Sequence, residues 1–199
     1  MCAETYGDTK WAFALVSLGA NLGEPLKNIE KALSAFNATP GIRVLRHSSF
    51  YTTYPVGTSF DKPLYVNAVA ALETRLSPLN LLAALQEIET NLGRVRTGFW
   101  SDRTIDLDVL LYEDVTMETE EMTLPHKRLQ WRDFVLTPAC EIVPNLKTPI
   151  FGWTFRQLKT LLDWNFRDFR IVTGIISDLA TKGEVQRRIS QECNCGAEI

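Results

Sequence analysis

The chain has 199 residues, 45% of them hydrophobic and 23% charged, with a net charge of -3. It is therefore expected to be globular and large enough for one good-sized core. Its mildly acidic balance excludes a general attraction for nucleic acid or anionic membrane, so any anion must be held by a local basic site.

Residues 1–10 carry Glu4 and Asp8 where a secretory leader needs basic residues, and the apolar run over 11–18 is too short to cross a bilayer. Cys2, Cys140, Cys193 and Cys195 are too few and too scattered for a disulfide framework. Both features point to the cytoplasm. Cys193-Asn194-Cys195 lacks the second ligand pair that a tetrahedral zinc site needs.

The run over 11–18 reads as a buried strand that ends at the turn Gly19-Ala20-Asn21-Leu22-Gly23. Pro25 opens a helix with Leu26, Ile29, Leu33 and Phe36 as its apolar stripe, and Thr39-Pro40-Gly41 stops it. A second strand is expected over 42–51, a loop over 52–63 with Pro55, Gly57 and Pro63, and a third strand over 64–74. Ser77 caps a second helix that buries Leu81, Leu85, Ile88 and Leu92 and ends at Gly93. Another face of this helix carries Leu82, Gln86 and Glu89. Glu89 sits near the helix C-terminus, where the dipole disfavours an acid by about 0.3–1 kcal/mol.

The next loop, Gly93-Arg94-Val95-Arg96-Thr97-Gly98-Phe99-Trp100-Ser101-Asp102-Arg103, gathers three arginines in an acidic chain. Guanidinium groups grip phosphate oxygens through paired planar donors. In the following strand Ile105, Leu107, Val109 and Leu111 fall on one side, and Thr104, Asp106, Asp108 and Leu110 on the other. Two carboxylates side by side on a strand repel each other. A hard cation such as Mg²⁺, sharing its remaining positions with substrate phosphates, removes that conflict. Taken alone the two acids also read as a solvated sheet face. Beside three arginines they read as a site for polyphosphate and metal.

The acidic stretch 113–121 is expected to be a solvated hairpin loop. Leu124-Pro125-His126 and residues 132–136 lead into a short helix or turn over 138–144, and a helix follows over 154–162. The tail offers a strand over 170–176 and a helix over 179–189. Strands and helices mix without the alternation of a doubly wound parallel sheet, which favours an α+β fold.

Leu18-Gly19-Ala20-Asn21-Leu22-Gly23, Ser49-Phe50-Tyr51 with Pro55-Val56-Gly57, Tyr65-Val66-Asn67-Ala68 and Gln86-Glu87-Ile88-Glu89 resemble successive blocks of 6-hydroxymethyl-7,8-dihydropterin pyrophosphokinase. So do Gly93-Arg94-Val95-Arg96, Trp100, Arg103-Thr104-Ile105-Asp106-Leu107-Asp108, and Leu124-Pro125-His126 with Arg132 and Phe134. The resemblance implies a ferredoxin-like, mainly antiparallel α+β domain over 11–162, with 163–199 as an extension beyond the family's usual end. It implies a folate-pathway enzyme that moves the terminal pyrophosphoryl group of ATP to the pterin hydroxymethyl oxygen and leaves AMP.

On that resemblance Asp106 and Asp108 hold two Mg²⁺ ions, and Arg94, Arg96 and Arg103 contact or neutralise the moving group. The pterin falls to Tyr65 and Phe134 by stacking, to Asn67 by hydrogen bonding, and to the backbone from Thr53 through Tyr54 to Val56. Gln86, Val109, Thr123, His126 and Arg132 match nucleotide-side positions, Glu89 has an organising role in the same site, and Trp100 is a lid over both substrates. The arginine loop is short, and Phe99 stands where a basic or polar residue is expected. The partners implied are these two small molecules, without nucleic acid or membrane, and the protein is expected to be a monomer whose extension offers the place for a dimer. Another phosphoryl or nucleotidyl transferase would leave Tyr65, Asn67 and Phe134 without a purpose. A non-catalytic pterin or nucleotide binder would have no need of both acids and all three arginines.

Overall fold

The computed structural model describes residues 10–54, 63–94, 103–150, 152–165 and 172–176. The first strand, β1 (Ala12–Ala20), runs two residues past its expected end, so Gly19 and Ala20 belong to the strand and not to the turn. Helix α1 (Pro25–Ala38) has proline in its first turn and buries Ile29, Ala32 and Phe36. The single strand expected over 42–51 is two, β2 (Ile42–His47) and β3 (Phe50–Thr53), both paired antiparallel with β4 (Tyr65–Thr74). Ser48 makes the break. Its buried hydroxyl accepts from the amide of Val69 at 3.0 Å, while its own amide donates to the Val69 carbonyl at 2.9 Å.

Helix α2 (Pro78–Asn91) is capped by the Ser77 hydroxyl, which accepts from the Asn80 amide at 3.3 Å. Gly93, at a φ of 83°, takes the left-handed conformation that follows the helix end. Strand β5 (Asp106–Tyr112) precedes the short hairpin β6 (Met117–Glu118) and β7 (Thr123–Leu124), which bears out a hairpin in the acidic stretch. A 3-10 turn over Leu129–Trp131 leads into α3 (Asp133–Ile142), which is longer than expected and contains Pro138. Helix α4 (Phe155–Asn165) and strand β8 (Val172–Ile176) complete the described chain. The helix expected over 179–189 lies outside the described residues.

The main sheet has the order β5-β1-β4-β3-β8, with β2 also on β4, and every pairing in it is antiparallel. One face is closed by α1 and α2, whose Ile29, Phe36, Leu81 and Leu85 pack on Val16, Leu18, Ala68 and Leu107. Among the described residues the other face is covered only in part. Helices α3 and α4 bring Leu136, Ala139, Phe155 and Leu158 onto Leu15, Val69 and Ala71. At the uncovered end of that face β1, β4 and β5 carry polar side chains.

A β-bulge places this boundary. Leu15 pairs with Leu111 and Val16 with Val109, so Leu110 is an extra residue in β5. The alternation therefore fails after Val109. Leu111 was expected beside Ile105, Leu107 and Val109, but the bulge turns it into the α3 and α4 cluster together with Leu110.

Candidate active site

The pairing register aligns Tyr51 of β3 with Asn67 of β4, Asn67 with Gly19 of β1, and Gly19 with Asp106 of β5. Directly paired residues point to the same face. This row therefore runs across four strands on the partly uncovered face. The next row holds Val69, Ser17 and Asp108, and Tyr65 lies opposite Thr53. Period two thus delivers Tyr65, Asn67, Asp106 and Asp108 to one floor. Gly19 keeps the middle of the floor open, since a Cβ there would stand 3.0 Å from the Asn67 Oδ1. Asn67 is buried, and its amide Nδ2 donates to the Thr53 hydroxyl at 2.7 Å.

The carboxylates lie in a charge network. Arg94 donates to Glu89 and reaches Asp106 Oδ1 at 2.8 Å, Arg103 donates to the other oxygen of Asp106, and Arg132 reaches Asp108 at 3.2 Å. Glu89 is 3% exposed and accepts the Leu107 amide at 2.7 Å. Its position near the end of α2, unhelpful to the helix, places it against β5. Burial pushes its carboxyl above the usual carboxylate range, and the Leu107 amide and Arg94 offset part of that rise.

Asn21, a residue the motif reading left without a role, fixes Arg103. Its side-chain oxygen accepts the Arg103 amide at 2.7 Å, and the amides of Asn21 and Leu22 donate to the Arg103 carbonyl at 3.1 and 3.2 Å. An asparagine directly at the end of a strand was the available signal. Asparagine commonly makes such local side-chain to backbone bonds at turns.

Helix α3 forms the second wall. The Arg132 guanidinium lies 5.5 Å from the centre of the half-buried Phe134 ring and also contacts Asp108, so one side chain links the aromatic wall to the acids. The His126 amide donates to the carbonyl of the bulge residue Leu110 at 2.9 Å, which ties the Pro125-His126 loop to β5. The ring Nδ1 accepts from the Arg128 amide at 3.1 Å, leaving Nε2 to carry the proton. Burial first, and Arg132 second, hold this imidazole below its ordinary value.

The nucleotide-side expectations divide in two. Arg132 and His126 stand beside Asp108. Val109 is buried in the α1 and α2 core, Gln86 is exposed on α2, and Thr123 is on β7, which touches β5. Helix α2 and strand β7 both contact β5, and none of the three residues joins the acidic floor. A cavity of about 190 Å³ is lined by Glu118, Thr123, Pro125, His126, Leu129 and Ile150, and Asp106, Asp108 and Glu89 do not border it. Thr53 is buried and Tyr54 half-buried at the end of β3, whereas Val56, Arg96 and Trp100 lie outside the described residues.

Two adjacent carboxylates ringed by guanidiniums, next to an aromatic and amide-lined wall, suit a polyphosphate and a flat polar ring bound side by side. Among the described residues no third acidic, histidine or cysteine side chain joins the two aspartates. A hard cation would thus be shared with substrate oxygens and water, a coordination habit that fits Mg²⁺.

Residues 15–144 match the family model described as 7,8-dihydro-6-hydroxymethylpterin-pyrophosphokinase. The Haemophilus influenzae 2-amino-4-hydroxy-6-hydroxymethyldihydropteridine pyrophosphokinase is 44% identical over 159 residues, which cover 80% of this chain and 96% of that protein. The Schizosaccharomyces pombe folic acid synthesis protein fol1 is 43% identical over 158 residues, 79% of this chain, and the chain spans only 21% of fol1. A crystal structure of wild-type Plasmodium falciparum HPPK-DHPS with pteroate has the same fold, with a TM-score of 0.66 at 14% identity over 79% of this chain and 43% of that one.

Proposed function

The chain belongs to the 7,8-dihydro-6-hydroxymethylpterin-pyrophosphokinase family, and from that premise we propose that it transfers pyrophosphate from ATP to the hydroxymethyl group of 6-hydroxymethyl-7,8-dihydropterin, releasing AMP, in folate synthesis. The observation that carries this reading is the floor on which Asn67, Gly19 and Asp106 stand in one row. Adjacent strands are about 4.8 Å apart, so the ring-binding amide and the phosphate-side acid are separated by roughly 10 Å. That distance suits a pterin whose hydroxymethyl arm points toward a polyphosphate.

In this reading Tyr65 and Phe134 face the pterin ring, Asn67 meets its amide-like edge, and the backbone of 53–56 completes the pocket. Arg94, Arg96 and Arg103 orient the phosphates and neutralise charge that builds in the transition state. His126, through Nε2–H, and Arg132 hold nucleotide oxygens, while Gln86, Val109 and Thr123 belong to the nucleotide side on the family pattern alone. Trp100 closes over both substrates and excludes water. Asp106 and Asp108 would hold Mg²⁺, two ions on the family pattern, which when bound supplies charge neutralisation and lowers the pKa of the attacking hydroxyl.

We read the fold as ferredoxin-like, supported by the order β5-β1-β4-β3, with α1 and α2 each crossing between strands on one face. Among the described residues no helix is long and apolar enough to cross a membrane. We take the protein to act in the cytoplasm as a monomer on two small molecules, with 11–162 as its catalytic domain and 163–199 as an addition to it.

Incubation with ATP, Mg²⁺ and 6-hydroxymethyl-7,8-dihydropterin is expected to yield AMP in step with a pterin diphosphate. Stoichiometric ADP would sink the assignment and revive an ordinary kinase. The aromatic walls have their own test. Tyr65→Ala and Phe134→Ala are expected to weaken pterin binding by about 1–3 kcal/mol, by analogy with bases stacked on aromatic side chains, with little change toward an ATP analogue. Equal calorimetric losses for the two ligands would mean that these rings serve only packing.

A further inference from the structure

Glu141 is an exposed acid on α3 that gathers donors from Tyr51 of β3 and from Ser49 just before that strand, some 90 residues earlier in the chain. Its carboxylate accepts the Ser49 amide at 3.0 and 2.9 Å, the Ser49 hydroxyl at 2.9 Å and the Tyr51 hydroxyl at 2.8 Å. Nothing in folding alone requires three donors on one carboxylate here, because the apolar cluster already packs α3 on the sheet. What these bonds add is direction. They fix α3 along β3, whereas apolar contacts tolerate sliding.

Both ends of this tie lead to the site. Phe134 and Glu141 are seven residues apart on α3, hence on one helix face and separated by roughly 10.5 Å along the axis. Tyr51 begins the row that continues through Asn67, Gly19 and Asp106, and Asn67 bonds Thr53 two residues beyond Tyr51. Tyr51 itself is buried, and its phenol is pushed above the ordinary range by burial and by Glu141. It therefore remains a donor to the carboxylate at any working pH.

We propose that Glu141 is a positioning residue for pterin: by tying α3 to Ser49 and Tyr51 it sets the gap between Phe134 and the wall made by Tyr65, Asn67 and Thr53. This rests on the pterin reading given above. Among the described residues Glu141 shares no hydrogen bond or ion pair with Asp106, Asp108 or their arginines, and Arg132, which leads into α3, is held directly by Asp108, so the nucleotide side should sense its loss far less than the pterin side. The tie acts on ring binding.

The test measures dissociation constants for 6-hydroxymethyl-7,8-dihydropterin and for a non-hydrolysable ATP analogue, together with kcat and thermal unfolding, in the full chain. Glu141→Ala is expected to raise the pterin dissociation constant and KM about tenfold, the size of one lost charge-assisted bond. The analogue constant and kcat at saturating pterin should stay within about twofold, since they report other contacts. Glu141→Gln, which keeps an acceptor, should recover most of the loss, and Tyr51→Phe should produce an intermediate one. Unchanged pterin affinity in Glu141→Ala overturns the proposal, as does a parallel loss for both ligands with a lowered melting temperature. If the unaltered protein binds the ATP analogue but no pterin, the functional reading fails and the proposal fails with it. If it binds pterin and only the variants behave alike, the proposal alone is refuted.

Discussion

Asp106→Asn and Asp108→Asn are each expected to reduce kcat on the order of 10³-fold with the fold retained, a loss comparable to removing a central electrostatic contact from a transition state. The substitution keeps the size of the side chain and removes its charge. Asp106 receives Arg94 on one oxygen and Arg103 on the other, so Asn leaves two guanidiniums facing a neutral amide. Arg94 keeps Glu89, whereas Arg103 loses the carboxylate that aims it. Among the described residues Asp108 pairs with Arg132, which also lies over Phe134, so Asp108→Asn should additionally loosen the aromatic wall. Turnover measured against Mg²⁺ concentration, beside a thermal melt, separates these effects. Near-normal Mg²⁺-dependent turnover with either variant would contradict a metal role for that aspartate.

Arg94→Met is expected to cost about 3 kcal/mol of stability at neutral pH, because it leaves a buried carboxylate without its cation. Glu89 is enclosed between α2 and β5, and burial already raises its pKa above the unfolded value, against the pull of Arg94 and the Leu107 amide. Removing Arg94 raises it further. A carboxyl with a raised folded pKa binds its proton more tightly when folded, so its ionised form opposes folding above that pKa. Acidification through the folded pKa protonates Glu89 and removes the penalty. The gap between variant and parent should therefore be widest at neutral pH and narrow toward acid, as read by urea unfolding. A pH-independent gap would locate the damage in lost packing by the arginine stem.

The acids were legible because period two holds from Ile105 to Val109 and assigns charge to one face and apolar residues to the other. Beyond Val109 every nearby residue is apolar, so Val109-Leu110-Leu111 gives no sign of the residue that bulges, and Leu111 was placed on the wrong face. Ser48 was hidden for a similar reason. A serine inside an alternating run reads as an exposed position, yet here it is buried and substitutes its hydroxyl for a strand hydrogen bond. Pro138 obscured the length of α3, since an interior proline removes a helical donor and is read as a boundary. Glu89 could be singled out by its helix position but not by its burial, which comes from an amide on β5 and an arginine beyond the helix end. Glu141 carries no local signal, because its meaning lies in residues that only the sheet brings near.

The placement of the floor on β1 and β4 also governs how the protein can breathe. Each of these strands is bonded on both sides, so their amides should exchange with solvent only in near-global opening, while helix α3 and the β6 and β7 hairpin belong to units that open at lower free energy. Asn67, Gly19 and Ser17 thus lie in the slowest-exchanging layer, whereas Phe134, Arg132 and Thr123 stand on its periphery. Entry of a flat ring and escape of a bulkier, charged product can proceed by excursions of the walls over a base that stays still. Mass-spectrometric labelling would register substrate binding as slower exchange in α3 and the hairpin, with the peptides of β1 and β4 already protected beforehand.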